Sequence, residues 1–335
     1  LPQLDSVRMR RKAVERGIPL FTSLDTANAL ANALTSRYSL GNVELVDINN
    51  MRTKHKKLTF TKMRGTGNDY LYFDCFDQTV ESPESLAVRL STRRTGVGSD
   101  GIVLIMPSTI ADAKMRMFNA DGTEGSVAGN ALRCVCKYLY ENGHVRKDEM
   151  AVETGSGVKT AKLFIREDQV FSVLVDMGCP QFAPAKIPVK LDGDRVMMRP
   201  VFLAGEKREI SCVSMGNPHV VIFVEDVNRI PLEQVGPQIE TDSLFPERVN
   251  VSFAQIVDKN DIVMRVWERG IGETAACGTG ACAVAVAAVE NGFCTRGADI
   301  DVRLPGGTLV VRYQEDGKVW LTGDANTDFT GTIEI

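Results

Sequence analysis

The chain has 335 residues, with 39 Lys and Arg against 43 Asp and Glu for a net charge of −4, 44% hydrophobic residues and 24% charged. These values match an ordinary globular protein with room for two cored domains, and they exclude a disordered, collagen-like or disulfide-dense chain. No apolar run is long enough for a membrane span, no secretory leader is visible, and slight acidity without a Lys/Arg cluster gives no reason to expect nucleic acid or an anionic membrane as partner. The reading is therefore a cytoplasmic protein, with Lys54-His55-Lys56-Lys57 as a solvated linker.

The chain opens on Leu1 rather than Met, which reads as a processed chain or a fragment. Residues 10 to 16 predict a short helix stopped at Gly17. An extended run Ile18-Pro19-Leu20-Phe21 follows, then a second, Ala-rich helix from Thr26 to Leu34 behind a capping Ser23 or Asp25. Together they suggest an N-terminal extension over 1–57 that is an α/β fragment.

From Leu58 the pattern changes to short β-rich runs broken by Gly, with two long helical segments, which predicts an α+β body. Setting the chain against itself at an offset of 149 pairs Gly67-Asn68 with Gly216-Asn217, Met115-Arg116 with Met264-Arg265, Glu124 with Glu273, Gly129 with Gly278, and Glu141-Asn142-Gly143 with Glu290-Asn291-Gly292. So many landmarks at one spacing predict two similar domains, 58–176 and 177–320, facing each other across a pseudo-twofold cleft, with the ligand between them. Gly129 to Tyr140 and Gly278 to Glu290 are Pro-free and end at Asn-Gly, so both read as helices starting at the cleft.

Eight cysteines (Cys75, Cys134, Cys136, Cys179, Cys212, Cys277, Cys282, Cys294) form no CxxC pair and read as reduced thiols. With only His55, His144 and His219 beside them, no metal site is expected. Cys277 stands out because it precedes the Gly-rich start Gly278-Thr279-Gly280, where backbone N–H groups and the helix dipole favour a thiolate and also bind a carboxylate. The competing reading is a small buried hydrophobe. Two helix starts gripping one anion would present Cys277 to one face and the equivalent position, 128, to the other. Two thiols there would make a cofactor-free racemase, one removing a proton while the other delivers it. Residue 128 is alanine, which transfers no proton.

The motifs Phe60-Thr61-Lys62-Met63-Arg64-Gly65-Thr66-Gly67-Asn68-Asp69, Gly96-Val97-Gly98-Ser99-Asp100-Gly101, Phe118-Asn119-Ala120-Asp121-Gly122-Thr123-Glu124, Val213-Ser214-Met215-Gly216-Asn217-Pro218-His219, Phe245-Pro246-Glu247-Arg248-Val249-Asn250, Trp267-Glu268-Arg269-Gly270 and Leu304-Pro305-Gly306-Gly307, with the Cys277 segment, closely resemble the diaminopimelate epimerase family over residues 58 to 335. The resemblance implies a pyridoxal-independent epimerase, with no cofactor, interconverting LL- and meso-diaminopimelate for lysine and peptidoglycan synthesis. It implies a homodimer, and a terminal segment 321–335 that returns to the first domain. The family's second cysteine falls on Cys277 and its first on Ala128; Ala131 also replaces a usual glycine. Substrate contacts fall on Asn68, Asn119, Asn217, Asn250, Glu268 and Arg269, and on the backbone at Gly129, Asn130, Gly278 and Thr279. His219 and Glu268 fall on positions that tune the thiols. Gly101 replaces the Gln of some members and is not counted as a contact. Arg269 suits a distal carboxylate, which its fork can bind with two bonds; the alternative is an ion pair with Glu268. The asparagines, Asn217 before Pro218 included, are alternatively turn or cap residues, and His219 a structural histidine. Two further readings stand beside the epimerase: a non-catalytic diaminopimelate-binding protein, and a racemase for another amino acid. Residues 7 to 52 separately resemble the C-terminal end of the carbamoyl-phosphate synthase large chain.

Overall fold

In the computed structural model the described residues are 2–17, 27, 28, 31, 56–125 and 129–335, and they fall into two units, 1–56 and 57–335. In the first unit, α1 spans Pro2–Glu15 and stops where Arg16 and Gly17 turn back on Lys12 and Val14, Gly17 having φ +64°. The helix begins eight residues before the predicted one, because nothing in Gln3 to Met9 breaks it and Pro2 is compatible with a first turn. The run 18–21 lies outside the described residues, as does the second helix except for residues 27, 28 and 31.

The second unit is built twice. Its first half runs β1 (Lys57–Gly65), β2 (Asn68–Asp74), α2 (Pro83–Ser91), β3 (Gly101–Met106), β4 (Ala113–Asn119), β5 (Glu124–Gly125), α3 (Gly129–Glu141), β6 (Glu149–Thr154), β7 (Gly157–Arg166) and β8 (Gln169–Asp176). After β9 (Arg199–Leu203) the same order returns in β10 (Glu206–Ser214), β11 (Pro218–Phe223), α4 (Leu232–Glu240), β12 (Asn250–Asp258), β13 (Asp261–Glu268), β14 (Gly272–Thr274), α5 (Gly278–Glu290), β15 (Asp299–Leu304), β16 (Gly307–Tyr313) and β17 (Val319–Gly323). The pairs β1/β10 and α3/α5 keep the 149-residue offset at both ends. Pairing senses repeat as well: β1–β2 and β10–β11 antiparallel, β2–β3 and β11–β12 parallel, β3–β4 and β12–β13 antiparallel, β4–β6 and β13–β15 parallel.

Each half packs its long helix onto its sheet. Cys134, Val135 and Leu139 of α3 are buried with Val103, Met115 and Val173, while Ala281 to Ala288 of α5 are wholly buried among Val221, Met264 and Val311. Small side chains let α5 approach its strands closely, each burying little apolar area. The short helices α2 and α4 have no counterpart in the sequence reading. Pro83 stands in the first turn of α2, and Gly236 and Pro237 interrupt the pattern of α4, so neither shows a long helical period.

Strand β8 pairs antiparallel with β17, joining the halves, and β18 (Asn326–Glu334) returns antiparallel to β1 with Leu58 opposite Ile333. Lys57, predicted to be linker, opens β1 opposite Glu334 and lies 3.6 Å from its carboxylate, because the returning strand supplies a ladder that no local pattern reveals.

Candidate active site

The two long helices start face to face. A Cβ built on Gly278 would lie 3.7 Å from Asn130 Oδ1 and 3.2 Å from Leu321 Cδ2, so the first turns of α3 and α5 meet edge to edge. A side chain larger than hydrogen at 278 would enter that gap, beside the first turns of two helices, whose leading N–H groups have no partner within the helix.

The β1–β2 turn brings Asn68 to the start of α3, where Asn130 Nδ2 donates to Asn68 Oδ1 at 2.7 Å. Asn68 Nδ2 donates to Asp100 Oδ2 at 3.2 Å, and Arg93 ties Asp100 at 2.9 Å to Asp69 at 2.8 Å. Lys62 closes the other side of Asp69 at 2.8 Å. Burial alone would raise the Asp69 carboxyl, but the two cations outweigh it and hold it below the usual range. None of these four charged groups was singled out in the sequence; their value comes from a turn packing against a neighbouring loop.

In the second half the equivalent turn carries Asn217, whose Nδ2 donates to Thr279 Oγ1 at 3.3 Å and whose Oδ1 lies 3.0 Å from His219 Nε2. His219 is fully buried, and burial, with Arg269 adding to it, pushes its pKa down to about 3, so the imidazole is neutral. A proton on Nε2 satisfies Asn217; Nδ1 has no hydrogen-bond partner among the described residues.

Cys277 is the N-cap of α5. Its sulfur accepts from Gly280 N at 3.4 Å and lies 3.6 Å from Thr279 Oγ1. The helix start was expected to favour a thiolate, but burial and the neighbouring Glu268 charge outweigh these contacts and hold Cys277 as a thiol. Burial also raises Glu268, which accepts from Thr274 Oγ1 at 2.6 Å.

Several predicted residues have structural duties as well. Asn250 Nδ2 donates to Pro218 O at 2.8 Å and its Oδ1 accepts from Arg269 N at 3.0 Å, so it locks the strand carrying His219 to the loop carrying Arg269. Asn119 donates to Thr123 Oγ1 at 2.9 Å within the β4–β5 hairpin, a turn contact. The exposed Arg269 donates through Nη1 to Glu247 O at 3.0 Å, while Glu268 accepts from Thr274 instead. Gly101 has no room for a side chain, since a Cβ would come within 2.1 Å of Phe118 O. Residue 128 lies outside the described residues, as do 126 and 127. Cys134 and Cys136, six and eight residues further on, are fully buried in α3, and burial pushes them up to about 11 and about 12. Among the described residues no three His, Cys, Asp or Glu side chains gather as a metal site.

A doubled α+β unit whose two long helices meet at their starts defines the class of two-domain epimerase-like proteins. Solved structures share the fold: a phenazine biosynthesis protein of the PhzF family from Bacillus anthracis (TM-score 0.62, 18% identity, 84% of this chain and 100% of that one) and a hydroxyproline epimerase from Agrobacterium vitis (TM-score 0.55, 16% identity, 84% and 94%). The family model for diaminopimelate epimerase matches residues 60–183 and 211–327. Proteins named diaminopimelate epimerase from Acetivibrio thermocellus and Desulfovibrio desulfuricans are 48% and 50% identical over 279 and 285 residues, each alignment covering 83% of this chain and 99% of the relative. That from Methanococcus maripaludis is 45% identical over 279 residues, covering 83% of this chain and all of its own. The chain belongs to the diaminopimelate epimerase family, a family of isomerases.

Proposed function

We propose that residues 58–335 interconvert LL- and meso-diaminopimelate, and that the meeting of the helix starts at Gly278 and Asn130 beside Cys277 is the observation that carries this reading. In it, backbone N–H groups at Gly129, Asn130, Gly278 and Thr279 hold the carboxylate next to the reacting α-carbon. Cys277 first gives its proton to a base, for which the adjacent Glu268 is placed, and the thiolate then removes the α-proton from one face. The carbanion's charge spreads into the bound carboxylate, which the N–H donors stabilise. Asn68 and Asn217 offer donor and acceptor to the zwitterionic end, and Arg269 the distal carboxylate.

The opposite face needs a second proton carrier, which the family resemblance assigns to position 128. A family thiol there would return the proton; Ala128 has none, so this chain exchanges the α-proton through Cys277 and epimerises slowly. The domain limits 58–176 and 177–320, with 321–335 returning to the first domain, a homodimer and a cytoplasmic location complete the proposal. Residues 7–52 are read as the end of a carbamoyl-phosphate synthase large chain with no part in this chemistry.

Alanine at 128 also favours a second reading, a diaminopimelate-binding protein without catalysis. The LL-to-meso rate of the chain, of Ala128→Cys and of Cys277→Ala separates them. The epimerase reading expects a gain of orders of magnitude for the first variant and loss of all exchange for the second. No activity after cysteine is restored would leave the binding reading, and α-proton exchange with proline or histidine in place of diaminopimelate would move the substrate class.

A further inference from the structure

The hairpins that lead into the two helix starts are closed by the same device. Arg116 Nε and Nη2 grip both oxygens of Glu124 at 2.7 and 2.9 Å, and Arg265, at the 149-residue offset, grips Glu273 at 2.8 and 3.0 Å. Beyond this they differ. Arg116 stacks on Phe118 at 4.9 Å, whereas Arg265 Nη1 donates to Val227 O at 3.1 Å and Ile230 O at 2.9 Å, which pins the second hairpin to a neighbouring loop. Thr274 follows Glu273 on that pinned strand, opposite Val266.

The Thr274 hydroxyl donates to Glu268 Oε1 at 2.6 Å, and Glu268 is near enough to Cys277 for its charge to push the thiol up. A glutamate side chain has three rotatable bonds, so one fixed oxygen decides where the carboxyl points. The offset sets Gly125 in the place of Thr274 and Asn119 in the place of Glu268, so the first half has neither hydroxyl nor carboxyl at these positions.

We propose that Thr274 is a positioning residue of the second domain, its hydroxyl turning the Glu268 carboxyl onto the Cys277 thiol. The inference rests on Cys277 being the base of the proposed reaction. In that scheme Thr274 touches neither the substrate nor Cys277; it acts through Glu268. Because its O–H donates to the carboxylate, it also opposes the effect of burial and eases ionisation of Glu268. At these equivalent positions the two halves are thus chemically unlike, Thr274 and Glu268 in one against Gly125 and Asn119 in the other.

The test uses the full chain with Thr274→Val, which keeps the branched shape, Thr274→Ala as a second removal of the hydroxyl, and Thr274→Ser. Solvent deuterium entry at the α-carbon of diaminopimelate is followed across pH, and the Glu268 carboxyl is titrated by carbon-13 NMR without substrate. Val and Ala are expected to slow exchange about tenfold and to move the Glu268 midpoint up by about one pH unit, with Ser restoring both. A Val variant that titrates and exchanges like the parent overturns the proposal, and so does a Ser variant no better than Val, which would make the role one of packing. Failure of the parent to exchange diaminopimelate would refute the proposed substrate, and the carboxyl titration then decides on Thr274 by itself.

Discussion

Gly278 and Asn130 face each other across the junction of the two halves, the Cβ that 278 lacks falling 3.7 Å from Asn130 Oδ1. Helix propensity favours alanine over glycine by somewhat under 1 kcal/mol, but here the methyl would occupy the space between two helix starts and press on Leu321. Gly278→Ala is expected to leave the melting temperature within a few degrees and to raise KM for diaminopimelate at least about tenfold, read by α-proton exchange against substrate concentration. An unchanged KM would place the anion elsewhere.

Gly67 and Gly216 are equivalent turn residues with φ +86° and +96°, yet only the first is crowded. A Cβ at 67 would lie 3.0 Å from Gly306 Cα and 3.3 Å from the Cβ atoms of Ala275 and Ala276, while at 216 nothing lies within 4 Å. Both alanine variants store left-handed backbone strain of about 1–2 kcal/mol. Gly67→Ala adds the clash and is expected to be the less stable of the two in urea, and to lose exchange as well, because Ala275 and Ala276 lead directly into Cys277.

Arg133 is wholly buried, Nη2 donating to Thr66 Oγ1 at 2.9 Å and Nε to Asp324 O at 3.0 Å, so one side chain of α3 ties down both the turn before Asn68 and the crossover into β18. Burial lowers its pKa. Arg133→Met is expected to cost about 3 kcal/mol in urea unfolding, and Arg133→Lys to recover less than half, because an ammonium cannot reach both partners at once.

His219 fixes the sign of one pH effect. Its folded pKa of about 3 lies below the ordinary 6.5, so the unfolded chain takes up the proton first. Its contribution to stability is complete above pH 6.5 and is lost as pH falls from there toward 3. Between pH 6.5 and 4.5 that is about 2–3 kcal/mol. Unfolding free energies of the chain and of His219→Gln at these two pH values are expected to show a shallower acid loss in the variant; equal slopes would mean that the ring takes up its proton in the folded state.

The sequence by itself determined the doubling. An offset of 149 located both long helices to within a residue, both Asn-Gly stops, and the place of Cys277 at a helix start, because these are local signals: glycine, proline-free apolar runs, and spacing along one chain. Only the tertiary structure decided the rest. The Lys62, Asp69, Arg93 and Asp100 cluster behind Asn68, the Arg133 tie, and the Thr274 hydroxyl on Glu268 join residues whose side chains meet only when strands and loops distant in sequence pack together. The charge state of Cys277 belongs with them. A helix start by itself favours a thiolate, and burial beside a carboxylate, which no local pattern encodes, makes it a thiol.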